Sequence, residues 1–600
     1  MKKKALMTIL PLCVAMAMTA CGGNADTAEV KETTVAEETA EANAQTQIEE
    51  ADGYYEAGRR SLYGLDGAQI DLADAHTNFT KSQELGNTEA NFYLGVLADW
   101  YGYPKKDYEQ ARAYYEQSGD NPYAQISLGF LYYNGQGVEQ DMEKGKELFQ
   151  SVADQGVVEG YYGLAVAAES EEDIETALGH YNKVVEDGTE PLYIAGAMNN
   201  LGYAYATGEG VEQDYAKAIE WYTKAADLGQ TDAMNYLGYM YNISEGVEQD
   251  YAKAVEWYTK AADLGHATAM SNIGYMYRNG NGVEQDYAKA IEWFTKAADL
   301  GHATAMKNLG EMYEYGEGVE QDYVKAIEWY TKAADLGHAT AMNNLGYMYD
   351  SGFGVEQDYA KAIEWYTKAA DLGQATAMNN LGYMYMYGEG VEQDYAKAIE
   401  WYIKAADLGN TAAMDALGYM YRNSNGVEQD YAKAIEWYTK AADLGDTTAM
   451  YKLGDMYRKG EGVEQDHAKA IEWFTKAADS GHTDAMRTIG EMYMMDSLFG
   501  GGDDLEKAIE WYQKAADLGD AGAMYYLGQM YELGEGVEQD YAKAIEWYTE
   551  AADLGDAGAM HKLGYMYDNG FGVEQDGTKA VEWYTKAADS GYVSTEVYLE

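Results

Sequence analysis

The chain has 600 residues, of which 47% are hydrophobic, and it carries 59 tyrosines but only 4 prolines. Its formal net charge of −60 should repel polyanions, which excludes nucleic acid and bare anionic lipid as favoured partners. This charge is compatible with a soluble, self-repelling surface and also with attraction to a basic partner or to cations. The sequence leaves both interpretations open.

The first 20 residues predict an export signal rather than a structural element. Three lysines precede an apolar stretch that is shorter than the 20 or so residues of a membrane-spanning helix. The stretch ends in Met18-Thr19-Ala20-Cys21, which resembles the end of a bacterial lipoprotein signal peptide. That resemblance implies removal of residues 1–20 and lipidation of Cys21, and the loss of three lysines would change the net charge from −60 to −63. An ordinary secretory signal cleaved near Ala20 is the alternative.

The cysteines and the acidic segment that follows favour a membrane anchor. The chain has two cysteines, Cys13 and Cys21, and the first lies inside the segment expected to be removed. The resemblance implies a multiply acylated Cys21, and more than one acyl chain is what stable anchoring needs. Residues 22–50 are acidic and lack aromatics, so we expect a disordered tether that spans roughly 30 Å. It would hold the rest of the chain off the bilayer.

Tryptophan recurs every 36 residues from position 221 onward, with a single delay of two residues before Trp511. A fixed period between about 20 and 50 residues predicts an all-α solenoid of stacked helical repeats. Each tryptophan lies at the edge of a helical apolar stripe, so we expect it to contact the neighbouring repeat. These residues are Trp221, Trp257, Trp293, Trp329, Trp365, Trp401, Trp437, Trp473, Trp511, Trp547 and Trp583.

Residues 197–229 show what one repeat encodes. Asp214 and Gly229 bracket a segment with helical periodicity and are expected to cap a helix. A first helix precedes it, and the glycine inside that helix, Gly202, suggests a close approach between the two. In the turn between the helices we expect a positive φ at Gly210, whereas Gly208 needs only a tight turn, since serine replaces it in two copies.

The combined pattern Ala-x-x-x-Leu-Gly, Gly-x-Gly-Val-x-x-Asp and Ala-x-x-Trp-Tyr-x-x-Ala-Ala-x-x-Gly resembles the Sel1-like repeat, a relative of the tetratricopeptide repeat. The resemblance implies a right-handed α-superhelix whose concave side is lined by the first helices. Residues 193–591 follow the pattern regularly, residues 51–192 are degenerate, and 592–600 form the C-terminal end. Some secreted relatives have a disulfide in each repeat, but this chain has no cysteines for that purpose.

The residues that most often carry chemistry do not form a recognisable site. His266, His302 and His338 occupy equivalent positions in successive repeats, about 10 Å or more apart, which is too far for a shared zinc ion. The glycine-rich turns lack the Lys-Ser/Thr of a phosphate loop. The irregular turn at 500–504 could bind Ca²⁺ weakly or be a solvated insertion. We therefore predict no metal, no cofactor and no enzymatic activity.

Variation between copies is concentrated on the first helix, in the two residues before Leu-Gly and the one after it. We expect these side chains to point away from the core and to line the groove that the resemblance implies. An Asn- and Tyr-lined surface suits extended peptides or glycans. The alternative is solvent-facing residues copied by duplication. The predicted binding residues are Tyr203, Tyr239, Tyr275, Asn308, Asn344, Tyr347, Asn380, Tyr383, Tyr419 and Tyr565.

The sequence thus predicts a lipid-anchored, extracytoplasmic scaffold that binds a protein, peptide or glycan, and the net charge is compatible with a basic partner. We expect a monomer that contacts the membrane only through its lipid. One alternative is a cell-wall enzyme with catalytic carboxylates in 51–192, and it fails if that region continues the helical hairpins. Another is a passive surface spacer without a partner.

Overall fold

The computed structural model describes residues 27–65, 69–103, 105–500 and 504–591, and these contain 30 α-helices and no β-strand. The chain clusters into two compact units, residues 1–321 and 322–600. Within each unit consecutive helices pair as antiparallel hairpins, and each hairpin packs on the next. The all-α solenoid architecture is confirmed.

The first unit contains α1 to α15, in which odd numbers are the first helices of hairpins. They are α1 (Thr27–Tyr63), α2 (Leu72–Glu84), α3 (Ala90–Asp99), α4 (Tyr108–Gln117), α5 (Pro122–Asn134), α6 (Met142–Asp154), α7 (Gly160–Ser170), α8 (Ile174–Asp187), α9 (Pro191–Thr207), α10 (Tyr215–Asp227), α11 (Thr231–Ile243), α12 (Tyr251–Asp263), α13 (Ala267–Asn279), α14 (Tyr287–Asp299) and α15 (Ala303–Tyr315).

The second unit contains α16 to α30. They are α16 (Tyr323–Asp335), α17 (Ala339–Ser351), α18 (Tyr359–Asp371), α19 (Ala375–Tyr387), α20 (Tyr395–Asp407), α21 (Thr411–Asn423), α22 (Tyr431–Asp443), α23 (Thr447–Lys459), α24 (His467–Asp479), α25 (Thr483–Gly500), α26 (Leu505–Asp517), α27 (Ala521–Leu533), α28 (Tyr541–Asp553), α29 (Ala557–Asn569) and α30 (Gly577–Asp589).

The predicted caps of the second helices are present. The Asp214 carboxylate accepts a hydrogen bond from the backbone N–H of Lys217 at 3.1 Å, which satisfies one of the free donors at the start of α10. At the other end Gly229 has a φ of +87° and donates its N–H to the Ala226 carbonyl at 2.9 Å. This left-handed residue directly after the helix turns the chain towards the next hairpin.

The glycine inside each first helix marks the close approach that the sequence predicts. A β-carbon on Gly202 would lie 2.8 Å from the ring of Tyr222, the residue that follows Trp221. Tyr222 is buried against the first helix, whereas Trp221 is only partly buried. The tyrosine after the tryptophan therefore fills the inside of the hairpin.

The turn between helices differs from the expectation at its first position. Gly208 has a φ of +78°, and the serines that replace it, Ser244 and Ser424, keep left-handed values of +66° and +62°. Both positions of the turn are thus left-handed. The second tolerates only glycine, because a β-carbon on Gly246 would lie 2.1 Å from the Tyr215 side chain of the preceding hairpin.

The expected coil at 21–50 is helical where the structure describes it. α1 begins at Thr27, and every described side chain from 42 to 50 is exposed. Residues 27–52 contain no glycine or proline and many alanines and glutamates, which favour a helix even without packing. Residues 1–20, Cys21, the turn residues 501–503 and residues 592–600 lie outside the described part of the chain.

Residues 51–192 continue the helical hairpins from the end of α1 to α8. The requirement for a separately folded enzyme region is therefore not met. Within the described residues, none of the helices has a stretch long and apolar enough to cross a bilayer.

Candidate interaction surface

Seven tyrosines that directly follow Leu-Gly or Ile-Gly project from the first helices into solvent, with exposures of 39% to 49%. We call this position in all repeats the tyrosine column. Their direction agrees with the sequence prediction, and their role in binding stays a prediction. They are Tyr203, Tyr239, Tyr275, Tyr347, Tyr383, Tyr419 and Tyr565.

At two of the three acids in the tyrosine column, Glu311 and Asp455, an arginine from the preceding hairpin forms an ion pair with the carboxylate. In the first unit the Arg278 guanidinium contacts Glu311 at 2.9 Å and Glu317, in the following turn, at 2.6 Å. In the second unit Arg422 contacts Asp455 and Glu461, both at 2.7 Å. These departures from tyrosine are therefore ion pairs that join adjacent hairpins.

The two residues before Leu-Gly do not face solvent as expected. They lie between consecutive first helices and bond from one hairpin to the next. Asn272 donates to the Asn235 side chain at 3.0 Å, and Asn380 donates to Asn343 at 3.2 Å. A helical wheel shows only the direction from one helix axis, and these positions point at the neighbouring hairpin.

The predicted asparagines consequently contribute little to an open surface. Asn308 is buried, with 7% exposure, which contradicts its expected place in a groove. Asn344 and Asn380 are partly buried. Among the predicted binding residues, the accessible ones are those of the tyrosine column.

The tryptophans lie on the outer edge of the second helices. All eleven are partly buried, and at ten of them a lysine three residues later places its ammonium group 3.8 to 4.5 Å from the ring centroid. Trp547 is followed by Glu550 instead. The cation shields one indole face at an exposed site. Contact with the neighbouring repeat stays a prediction.

The equivalent histidines have a structural role that the sequence reasoning missed. The Nδ1 atoms of His266, His302 and His338 accept the backbone N–H three residues later, at 3.1 to 3.3 Å. Each therefore caps the N-terminus of a first helix. Other repeats place Asp446 or Asp520 there, and that substitution pattern was the available signal. In the described residues no group of three or more His, Cys, Asp or Glu side chains is arranged to hold a metal.

In the N-terminal hairpins the chain itself covers the first helices. The Glu190 carboxylate accepts hydrogen bonds from the Tyr63 hydroxyl of α1 at 2.6 Å and the Tyr93 hydroxyl of α3 at 2.8 Å. The Tyr193 hydroxyl donates to the Tyr123 carbonyl of α5 at 2.8 Å. We call residues 188–193 the docked link. It begins in extended conformation and then enters α9.

In the hairpins beneath the docked link, positions that are exposed elsewhere are buried. Val96 and Phe130 follow Leu-Gly in α3 and α5, so they are the tyrosine-column positions of their hairpins, and both are buried. Trp100 packs edge-on against both Phe130 and Tyr193, each at 6.2 Å between ring centroids. The same face of the first helices is therefore covered at one end of this unit and open from Tyr203 onward.

The buried carboxylates of this region are bound to the chain rather than directed into an open cleft. Burial raises the pKa of Glu190, although the Tyr63 hydroxyl acts in the opposite direction. Glu159 accepts the backbone N–H groups of Thr189 and Glu190 at 2.6 and 2.8 Å. Burial raises the pKa of Asp99 to about 6, against the influence of Lys106. These contacts hold the docked link and its surroundings in place.

Comparison with known proteins identifies thirteen segments that match the model of the Sel1 repeat. They are residues 88–121, 122–157, 195–230, 231–266, 267–302, 303–338, 339–374, 375–410, 411–446, 447–482, 483–520, 521–556 and 557–592. The match extends further towards the N-terminus than the sequence pattern indicated. The search of curated proteins gave no match.

Several solved structures are similar. A protective antigen of uropathogenic Escherichia coli with an SLR fold is 37% identical and covers 69% of this chain and 89% of its own, with a TM-score of 0.43. A Sel1 repeat protein from Oxalobacter formigenes is 36% identical over 41% of this chain and 99% of its own, with a TM-score of 0.38. An immunity protein from Pseudomonas aeruginosa is 24% identical over 36% of this chain and 82% of its own, with a TM-score of 0.27.

Proposed function

Because the chain belongs to the Sel1 repeat family, we propose that it is a lipid-anchored, extracytoplasmic scaffold that binds a protein partner on its first helices. Sel1 repeats mediate protein–protein interaction, and the tyrosine column supplies exposed aromatic area for it. Tyrosine offers a rigid ring and a hydroxyl group at low cost in side-chain entropy. The scaffold itself needs no catalytic group.

The docked link is the observation that carries this proposal. An extended segment followed by a helix lies across α1, α3 and α5 and is held by tyrosine hydroxyl groups. The chain thus provides its own example of polypeptide bound to the first helices. From Tyr203 onward seven of the equivalent positions are tyrosines that remain open to solvent. A protein segment is therefore the favoured occupant, ahead of a glycan.

The anchoring part of the proposal is supported by the N-terminal sequence and by α1. Cys21 follows a lipoprotein-like signal, and the helical residues 27–50 would extend about 36 Å at 1.5 Å per residue. Such a spacer would keep the hairpins clear of the bilayer. Replacing Cys21 with serine should release the protein from the membrane fraction. Retention of that variant in the membrane would contradict the lipid anchor.

Partner binding is tested by a triple substitution of Tyr347, Tyr383 and Tyr419 with alanine. The partner is first identified by crosslinking in the native envelope followed by mass spectrometry. The triple variant should bind it at least ten times more weakly, since each buried aromatic anchor contributes about 1 kcal/mol or more. The melting temperature should stay within about 2 °C of the parent, because exposed side chains contribute little to stability.

A matched control removes three exposed leucines from the same repeats but from another surface. Leu372, Leu408 and Leu444 lie in the links after the second helices and are more than half exposed. Their replacement by serine should leave partner affinity unchanged. Equal losses for both triple variants would show that the first helices are not the binding surface. A passive spacer would give no specific crosslinked protein at all.

A further inference from the structure

Arg278 and Arg422 occupy equivalent positions in different repeats, and each forms ion pairs with the following hairpin. We call the space that the guanidinium group fills between adjacent hairpins the arginine seat. Arg278 lies four residues after the helix glycine of α13, and Arg422 lies four residues after that of α21. Each guanidinium contacts one carboxylate in the tyrosine column and one in the next turn. The repeat therefore has a defined place for a guanidinium group between adjacent hairpins.

The repeat halfway between these two arginines has no basic residue at the equivalent position. The equivalent residue of α17 is Asp350, and the next turn contributes Glu389, the counterpart of Glu317 and Glu461. Within the described residues, neither Asp350 nor Glu389 forms an ion pair with a basic side chain. The Asp350 carboxylate accepts a hydrogen bond from the buried Tyr366 hydroxyl, at 3.3 Å. The seat thus holds two carboxylates, whereas α13 and α21 place an arginine between carboxylates there.

The electrostatics of the two kinds of seat differ accordingly. Burial raises the pKa of Glu389, and the charge of Asp350 raises it further. At the filled seat, burial acts to raise the pKa of Asp455, but hydrogen bonds from basic side chains, Arg422 among them, outweigh it and lower the pKa to about 2. A cation placed between Asp350 and Glu389 would relieve their mutual repulsion.

An aromatic slot opens beside the empty seat. Tyr383 and Tyr387 of α19 lie with their ring centroids 4.4 Å apart and are both about half exposed. With Tyr419 of α21 they line a cavity of about 280 Å³. Ala416 opens the slot, because the other regular repeats have Asn, Tyr, Lys or Thr at that position.

We propose that Asp350 and Glu389, together with Tyr383 and Tyr387, bind the side chain of an arginine in a basic segment of a partner protein. An apolar residue next to that arginine would enter the slot at Ala416. This proposal rests on the proposed function and assigns one site on the same surface.

Arginine is the cation that the geometry favours. Its planar guanidinium group can bond two carboxylates and stack on an aromatic face at the same time, which the compact lysine ammonium cannot do. The only cation that lines the slot, Lys452, is already paired with both oxygens of Asp415 at 2.8 and 2.7 Å. The chain's net charge of −60 adds a long-range attraction for a basic segment.

The test uses the full chain with Cys21→Ser and two labelled nine-residue peptides, measured by fluorescence anisotropy. One peptide has a central Leu-Arg-Leu, and the other has citrulline, which is neutral and nearly identical in shape, in place of arginine. The arginine peptide should bind about tenfold more tightly, the loss expected when a charged hydrogen-bonded group is removed. Glu389→Gln and Tyr383→Ala should each weaken binding several-fold.

The decisive variant places an arginine of the chain itself in the arginine seat next to Glu389. Asp350→Arg should place a guanidinium group as Arg278 and Arg422 do, here with Glu389 as its carboxylate partner, melt at or above the temperature of the parent, and lose the preference for arginine. Asn242→Arg is its matched control, because it introduces an arginine at the equivalent position of α11, where the next turn has Asn281 instead of a glutamate. It should retain at least half of the parent affinity.

Equal binding of the arginine and citrulline peptides would overturn the proposal, as would equal losses in Asp350→Arg and Asn242→Arg. If the Tyr347, Tyr383 and Tyr419 variant still loses the native partner in that case, the arginine site is wrong while the scaffold function stands. If that triple variant keeps its partner, the proposed binding surface fails whatever the peptides do.

Discussion

Gly382 in α19 lies so close to Tyr402 in α20 that a β-carbon on the glycine would be 2.6 Å from the tyrosine ring. The ring is buried and takes up the volume that a side chain would need. The relationship recurs at Gly202 and Tyr222, Gly238 and Tyr258, Gly274 and Phe294, Gly346 and Tyr366, and Gly418 and Tyr438. It sets how closely the two helices of a hairpin approach.

Gly382→Ala should therefore destabilise its unit, by about 1–3 kcal/mol, because the added methyl group overpacks the hairpin. Alanine's better helix propensity, worth up to about 1 kcal/mol, should offset only part of this. Urea unfolding followed by circular dichroism measures the change. Gly179→Ala is the control, since this glycine of α8 has no heavy atom within 4 Å of the added carbon. That variant should be stabilised, and similar changes in both variants would contradict the packing argument.

Ser424→Gly should stabilise the second unit by about 1 kcal/mol. Ser424 has a φ of +62°, and a left-handed backbone costs a residue with a β-carbon roughly 1–2 kcal/mol. Thermal unfolding should show a higher midpoint. Gly426→Ala, two residues later, should do the opposite, because its β-carbon would lie 2.0 Å from the Tyr395 side chain. A lower midpoint for the serine replacement would show that Ser424 is not strained.

Arg422→Met should lower stability at neutral pH, and the loss should shrink in acid. A carboxyl group whose folded pKa is about 2, against 3.8 unfolded, stabilises the fold above about pH 4, and that contribution disappears as the pH falls towards 2. Melting temperatures of parent and variant should therefore converge between pH 4 and 2. Lys433→Met, which removes an exposed pair with Asp430 at 3.8 Å, should change stability by less than about 1 kcal/mol. A constant difference across this pH range would argue against the ion pair.

His338→Ala should cost about 1 kcal/mol, because the first N–H groups of α17 lose their cap. His338→Asp should restore or exceed the parent stability, since a carboxylate both caps the helix and interacts favourably with its positive end. Chemical denaturation measures the free energy of unfolding of the parent, His338→Ala and His338→Asp and ranks them by stability. Equal stability of the alanine and aspartate variants would mean that the imidazole does not act as a cap.

Glu190→Ala should loosen the docked link, because the buried Tyr63 and Tyr93 hydroxyl groups lose their acceptor. Backbone amide hydrogen exchange should then become faster at residues 188–193 and at the residues that contact them. Glu190→Gln keeps an acceptor without the charge and should exchange no faster than the parent. Because burial raises the pKa of Glu190 above its value in the unfolded chain, protonation of this carboxylate stabilises the fold, so the parent's link should become better protected as the pH falls towards 4.5. Unchanged protection in Glu190→Ala would contradict the role of this carboxylate.

Much of each hairpin follows from local rules that can be read along the chain. Asp214 and Gly229 mark the ends of α10, and the recurrence of Gly202 indicates close helix packing. The left-handed φ at Ser424 could not be inferred in this way, because serine normally signals an ordinary turn. The helical conformation of 27–50 was missed because low burial was taken to mean a coil, although propensity alone favours a helix there.

Sequence by itself determined the repeat, its helices, their caps and the outward direction of the tyrosine column. Tertiary structure alone decided what surrounds that column, because those contacts join residues that local periodicity does not relate. Asp350 meets the environment of Tyr383 and Glu389 only because α17 stacks on α19, and Glu190 reaches Tyr63 across 127 positions of sequence. Helix periodicity fixes a direction around one axis, whereas the side chain found in that direction depends on how hairpins stack.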